Sequence, residues 1–206
     1  MAETTGTTDE ADRAGTGLRE RSKARRKEAI VRAAYRLFAE RGYDATTVAD
    51  IAAAAEVAPR TVAMHFPSKQ DIALSRFSQA ADELTAALRD RAPGETATQV
   101  VVGWLRADER PADQEIKQLS KQMFAANPEL NALRNARMAA VITEGANALA
   151  AQMGVPPGAP EPRIVATAAA AIIIEITDIA QGPDRDAAID AAVRFLDAGI
   201  SALQGA

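Results

Sequence analysis

Apolar residues recur at three- and four-residue intervals from Ile30 to Ile200, and alanine fills 49 of the 206 positions. Alanine is the strongest helix former and a weak strand former. Only eight aromatic residues are present, which leaves a sheet little to pack with. Spacing and composition together predict an all-α fold.

The same composition narrows the chemistry. There is no cysteine and a single histidine, His65, so thiolate nucleophiles, zinc sites and His-dependent triads lack their raw material. A carboxylate-only site is what remains. We therefore expect no enzyme, no catalytic residue, no metal and no cofactor. The longest apolar stretch, Ile164 to Ile174, is too short to span a bilayer and is interrupted by Glu175, so no membrane partner is expected. The first six residues lack the basic and apolar regions of an export signal, and the expected location is cytoplasmic.

Residues 1–17, rich in Thr, Gly, Asp and Glu, are expected to form a disordered tail. About nine helices follow. The first covers roughly 20–41, striped by Ile30, Ala34, Leu37 and Phe38, with Gly42 at its C′ position. A short second helix opens at Val48 behind a Thr47/Asp50 capping box, and a short third runs from Pro59 to about Phe66. A Ser68/Asp71 box then opens one long fourth helix reaching to Pro93-Gly94. The fifth is marked by Ala97, Val101, Trp104 and Leu105, and the sixth covers about 112–126. Asn127-Pro128 caps a seventh that ends at Gly154, and a proline-rich loop occupies 154–162. Val165 to Ile179 forms the eighth helix, and Asp184 caps a ninth striped by Ile189, Val193, Leu196 and Ile200.

Charge is unevenly distributed. The chain is −4 overall, yet residues 18–77 carry a surplus of five positive charges, concentrated in Arg19, Arg21, Lys23, Arg25, Arg26 and Lys27. Such a cluster is either a phosphate-binding arm, with Arg25 and Arg26 as DNA contacts, or a solvated helix start. The two short helices between Val48 and Phe66 make a helix-turn-helix. Val57, Val62 and Phe66 supply its inward side, which turns Pro59, Arg60, Thr61, Met64 and His65 outward, where they could read base edges in a major groove. A helix pair of this size also occurs as a plain surface turn between core helices.

The local sequence resolves that choice. Ile30-x-x-Ala33-Ala34-x-x-Leu37-Phe38-x-x-x-Gly42-Tyr43, then Thr46-Thr47-Val48-x-x-Ile51-Ala52, then Ala55-x-Val57, then His65-Phe66-x-Ser68-Lys69-x-x-Ile72 resemble the DNA-binding domain of the tetracycline-repressor (TetR) family. The resemblance implies that the helix matching Pro59–His65 enters the major groove and that Thr46, Thr47 and Lys69 contact phosphates. It further implies a ligand cavity and a dimer built by the last two helices. Two residues depart from the pattern: Glu56 stands where the family usually has glycine, and Ala63 replaces a tyrosine that commonly touches phosphate.

The expected organisation is a tail (1–17), a helix-turn-helix DNA-binding domain (18–68) and a ligand-binding and dimerisation domain (69–206). In the last, the bulky Trp104, Met123, Phe124, Met138 and Ile142 stand among small residues as candidate ligand contacts, with ordinary core as the alternative. Ile172, Ile176, Ile179, Val193, Leu196 and Ile200 are the candidate dimer interface. The function this implies is a homodimeric repressor released from a palindromic double-stranded DNA operator by a small hydrophobic effector. The alternative is a helical dimer that has lost operator binding through Glu56 and Ala63 and acts through protein partners.

Overall fold

The computed structural model describes residues 7–107, 114–179 and 182–204. Among these the chain forms ten α-helices and no strand: α1 (Thr7–Arg41), α2 (Val48–Ala54), α3 (Pro59–His65), α4 (Lys69–Ala73), α5 (Ser75–Arg89), α6 (Ala97–Ala107), α7 (Gln114–Ala126), α8 (Pro128–Met153), α9 (Pro160–Thr177) and α10 (Pro183–Gln204).

Most boundaries follow the local signals. Four differ, each for a physical reason. α1 reaches back to Thr7, through residues 7–17 expected to be disordered, because extending an existing helix adds one hydrogen bond per residue without a new nucleus; residues 1–6 of that stretch lie outside the described residues. The expected long fourth helix is two, α4 and α5, divided at Leu74. There the Ser75 hydroxyl donates to the Ile72 carbonyl at 2.8 Å and competes with the helical ladder. α9 starts at Pro160, inside the expected loop, because proline is tolerated in a first turn. α10 starts at Pro183, so Asp184 lies in its first turn rather than capping it.

The chain divides into two compact units. The first comprises residues up to Ser75 together with Glu115–Pro128, so it runs past 68 and takes in α7. In it α1 packs against α2, α3 and α4. Ile30, Ala34, Tyr35, Phe38, Ile51, Val62, Ile72 and Leu74 are buried there, as are Met123 and Phe124 of α7. The second unit comprises Arg76–Gln114 and Glu129–Ala206. Its core gathers Leu84 and Leu88 of α5, Leu105 of α6, Val141 and Leu149 of α8, Ile173 and Ile176 of α9, and Ile189, Leu196 and Ile200 of α10. No helix of the described residues is long and apolar enough to cross a membrane.

Candidate nucleic-acid interface and apolar cavity

A helix ends with carbonyls that have no intrahelical partner. At the end of α1 and in the turn that follows it, side chains from three later segments donate to backbone carbonyls. Gly42 takes a positive φ of 88° and its N–H donates to the Phe38 carbonyl at 3.1 Å. The Thr46 hydroxyl donates to the Gly42 carbonyl at 2.8 Å. The Lys69 ammonium donates to the carbonyls of Tyr43 (2.7 Å) and Thr46 (3.1 Å) and sits 4.1 Å from the Tyr43 ring centroid, a cation at the negative end of a helix. Asn127, only 3% exposed, completes the set. Its Nδ2 donates to the Phe38 carbonyl at 3.0 Å and to Met123 at 2.7 Å, while its Oδ1 accepts from the Tyr43 N–H at 2.6 Å.

This arrangement corrects one expectation and adds a role for a residue read only as a helix cap. Thr46 is buried, with its hydroxyl committed to backbone, so it holds the turn and does not present a side chain to phosphate. α8 starts at Pro128 behind Asn127, as expected, and the Asn127 side chain also staples the end of α1 to α7. Sequence reading missed that role because its partners Phe38 and Tyr43 lie more than eighty residues away.

The helix-turn-helix is then set by local chemistry. Thr47 and Asp50 form the expected capping box: the Thr47 Oγ1 accepts from the Asp50 N–H at 3.1 Å, and the Asp50 carboxylate accepts from the Thr47 N–H at 2.9 Å. Donation from the Thr47 hydroxyl and backbone holds the Asp50 carboxyl below the usual carboxylate range. α2 ends in a Schellman motif, with Val57 N–H donating to the Ala52 carbonyl at 3.0 Å and Glu56 N–H to Ala53 at 3.2 Å. Glu56 occupies the left-handed position of that motif at φ 53°, the one non-glycine residue with positive φ among those described.

α3 buries Val62, and Phe66 is buried at its C-cap. Of the outward set expected, Pro59, Arg60 and Met64 are exposed and Thr61 and His65 partly so; Ala63 is exposed as well. Arg25 and Arg26 are exposed on α1, among Arg19, Arg21, Lys23 and Lys27. This basic run lies beside α3: the Lys27 ammonium is 5.8 Å from the Phe66 ring centroid. Partial burial, reinforced by the charges of Lys23, Arg26 and Lys27, pushes the His65 imidazole below its ordinary range, which leaves it neutral at pH 7. The surface around α3 therefore has a cationic run on one side, with the exposed carboxylate of Glu56 in the turn before it.

The second unit holds a different kind of site. An apolar cavity of about 30 Å³, partly open to solvent, lies among α5, α6, α8, α9 and α10. Leu88, Ala97, Val141, Gly145, Ala166, Ala170, Leu196 and Ile200 contribute to its wall, and Thr98 is the one polar side chain there. None of Trp104, Met123, Phe124, Met138 and Ile142 lines it. Met123 and Phe124 belong to the first unit, and Met138 is buried in the second unit's core with Trp104 and Ile142 packed against that core. These residues take the core role given as their alternative: large side chains fill space, and open space persists where alanine and glycine face one another.

The candidate dimer residues need a similar correction. Ile176, Leu196 and Ile200 are buried within the single chain, and the latter two line the cavity. Ile172, Ile179 and Val193 are partly buried. The large apolar side chains that α9 and α10 leave exposed are Ile164 (64%), Phe195 (63%) and Leu203. Also unforeseen was Arg185, 2% exposed, whose Nη1 donates to the Ile176 carbonyl at 2.9 Å and whose Nη2 donates to Leu105 at 3.2 Å. Its guanidinium closes the last turns of both α9 and α6.

Comparison with known proteins follows the same division. Residues 30–75 match the family model of bacterial regulatory proteins, tetR family, and residues 91–201, more than half of the chain, match that of the MftR C-terminal domain. Over 93 residues, 45% of this chain, the sequence is 43% identical to the HTH-type transcriptional regulator TcmR of Streptomyces glaucescens, and the match spans 41% of that protein's length. Among solved structures, the fold is similar to NalD, the secondary repressor of the MexAB-OprM multidrug efflux pump in Pseudomonas aeruginosa, at 19% identity and a TM-score of 0.59 over 87% of this chain and 97% of that one. It is similar also to FadR of Bacillus subtilis in complex with stearoyl-CoA, at 22% identity and a TM-score of 0.56 over 84% of this chain and 98% of that one. At these identities the structural likeness concerns the fold.

Proposed function

The chain belongs to the tetR family of bacterial regulatory proteins, and on that premise we propose that it is a cytoplasmic, homodimeric repressor released from a palindromic DNA operator by a small apolar effector. The observation that carries this reading is the exposed face of α3, with Arg60 and Met64 outward, His65 beside them and the cationic run of α1 alongside. Pro59, Arg60, Thr61, Met64 and His65 face the major groove. Thr47, at the exposed start of α2, and Lys69, with one N–H left after its two carbonyl bonds, contact phosphates together with Arg25 and Arg26.

The dimer forms through the exposed apolar side chains of α9 and α10, Ile164, Phe195 and Leu203. Two copies so joined place their α3 helices on half-sites about one helical turn (34–36 Å) apart. The effector occupies the apolar cavity. Its lining holds no charged group, which favours a neutral, hydrophobic molecule. Binding releases operator only to the extent that the effector prefers the non-binding conformer.

Selection of bound sequences from a random duplex library, at near-physiological salt, tests the reading. An enriched palindrome is the expected result. Steeply salt-dependent binding with no enrichment would leave only a phosphate-contacting surface, and the protein-interaction alternative would replace the operator. The intact Schellman motif at Glu56 speaks against that alternative, since the turn is formed despite the missing glycine.

A further inference from the structure

The recognition surface is chemically sparse, and that sparseness restricts what it can read. α3 has the sequence Pro-Arg-Thr-Val-Ala-Met-His and contains no Asn, Gln, Asp or Glu. Those four residue types make the polar contacts that select adenine or cytosine in a major groove. Its exposed face consists of Pro59, Arg60, Ala63 and Met64, in which Arg60 and Met64 stand four residues apart and so share one side of the helix.

Met64 is 74% exposed, the most exposed large apolar side chain among the described residues. Such exposure beside a cationic surface has a complement in duplex DNA. Phosphates meet Lys23, Arg25, Arg26 and Lys27, while the groove floor offers one apolar group, the C5 methyl of thymine. Arg60 matches the paired acceptors of guanine on the same floor.

Resting on the operator reading above, the geometry points to a half-site in which Arg60 reads a guanine and Met64 packs on the methyl of a thymine within two base pairs of it. The spacing comes from the helix. Four residues advance about 6 Å along the axis, against about 3.4 Å per base pair. Ala63 adds a second, smaller apolar surface toward the same methyl.

The test uses the full-length protein and the palindrome selected from the library. Replacing the relevant thymine by deoxyuridine removes the methyl alone. Wild-type affinity is expected to fall about 4-fold, the equivalent of one buried methylene. Met64→Ala is expected to bind the thymine duplex correspondingly less well and to be indifferent to the replacement, whereas Met64→Leu restores the preference. Arg60→Ala is expected to lose at least about 10-fold in affinity and to relax selection at the guanine. Met64 and Arg60 are exposed, so all three variants should melt like the wild type.

Two outcomes overturn the inference while leaving the operator reading intact: a selected half-site with no thymine within two base pairs of a guanine, or an equal loss on methyl removal in wild type and Met64→Ala. Failure to enrich any sequence overturns both together, and is recognised by equal binding of all duplexes.

Discussion

The two units are held together by different physics. In the first, directional hydrogen bonds converge on a short stretch of backbone, the end of α1, from Thr46, Lys69 and Asn127. In the second, an alanine-rich apolar core does most of the work, and Arg185 is its main buried polar anchor. The difference matches what each unit has to do. A surface that reads bases needs backbone fixed to within tenths of an ångström, which hydrogen bonds enforce through their geometry. A cavity that accepts an apolar guest needs walls without directional demands, and alanine and glycine at Ala97, Gly145, Ala166 and Ala170 leave the room.

The comparison can be broken by removing each anchor in turn and following the unit that should feel it. Trp104, the single tryptophan, lies in α6 of the second unit, and both tyrosines, Tyr35 and Tyr43, lie in the first, so fluorescence separates them. Arg185→Met is expected to have the largest effect. It strips the last turns of α9 and α6 of a charged donor and should cost about 2–4 kcal/mol, read as an earlier tryptophan transition in urea. Arg185→Lys should not rescue it, because an ammonium cannot reach both turns as the planar fork does.

Asn127→Ala should come next, at about 2–3 kcal/mol, read in the tyrosine transition and in weaker operator binding through a loosened Tyr43–Thr47 turn. If both variants shift both probes equally, the units unfold as one, and the assignment of a separate anchor to each is wrong.

What could be read from sequence divides along the same line. The capping box at Thr47, the side-chain cap at Ser68 and the C′ glycine at Gly42 are local, with every partner within a few residues, and all were legible. The outward face of α3 followed from periodicity alone. Asn127, Arg185, the membership of α7 in the first unit and the break at Leu74 depend on residues distant in the chain or on burial in three dimensions. The place of the cavity was not legible for a related reason. A stripe of side chains shows which face of a helix is apolar, but only assembled helices show where small residues meet.

The smallest predicted effect concerns Glu56. A left-handed conformation costs a side-chain-bearing residue roughly 1–2 kcal/mol, while glycine gives back part of that relief through the greater freedom of its unfolded chain. Glu56→Gly should therefore stabilise the first unit by about 0.5–1 kcal/mol, as a later tyrosine transition. The change also removes a negative charge from the turn before the recognition helix, so tighter operator binding alone would be ambiguous. Glu56→Ala separates the two contributions. It removes the charge and keeps a Cβ at φ 53°, so it should raise operator affinity in low salt without raising stability. Equal stabilisation by alanine and glycine would show that charge repulsion, not backbone strain, is what this residue imposes on the turn.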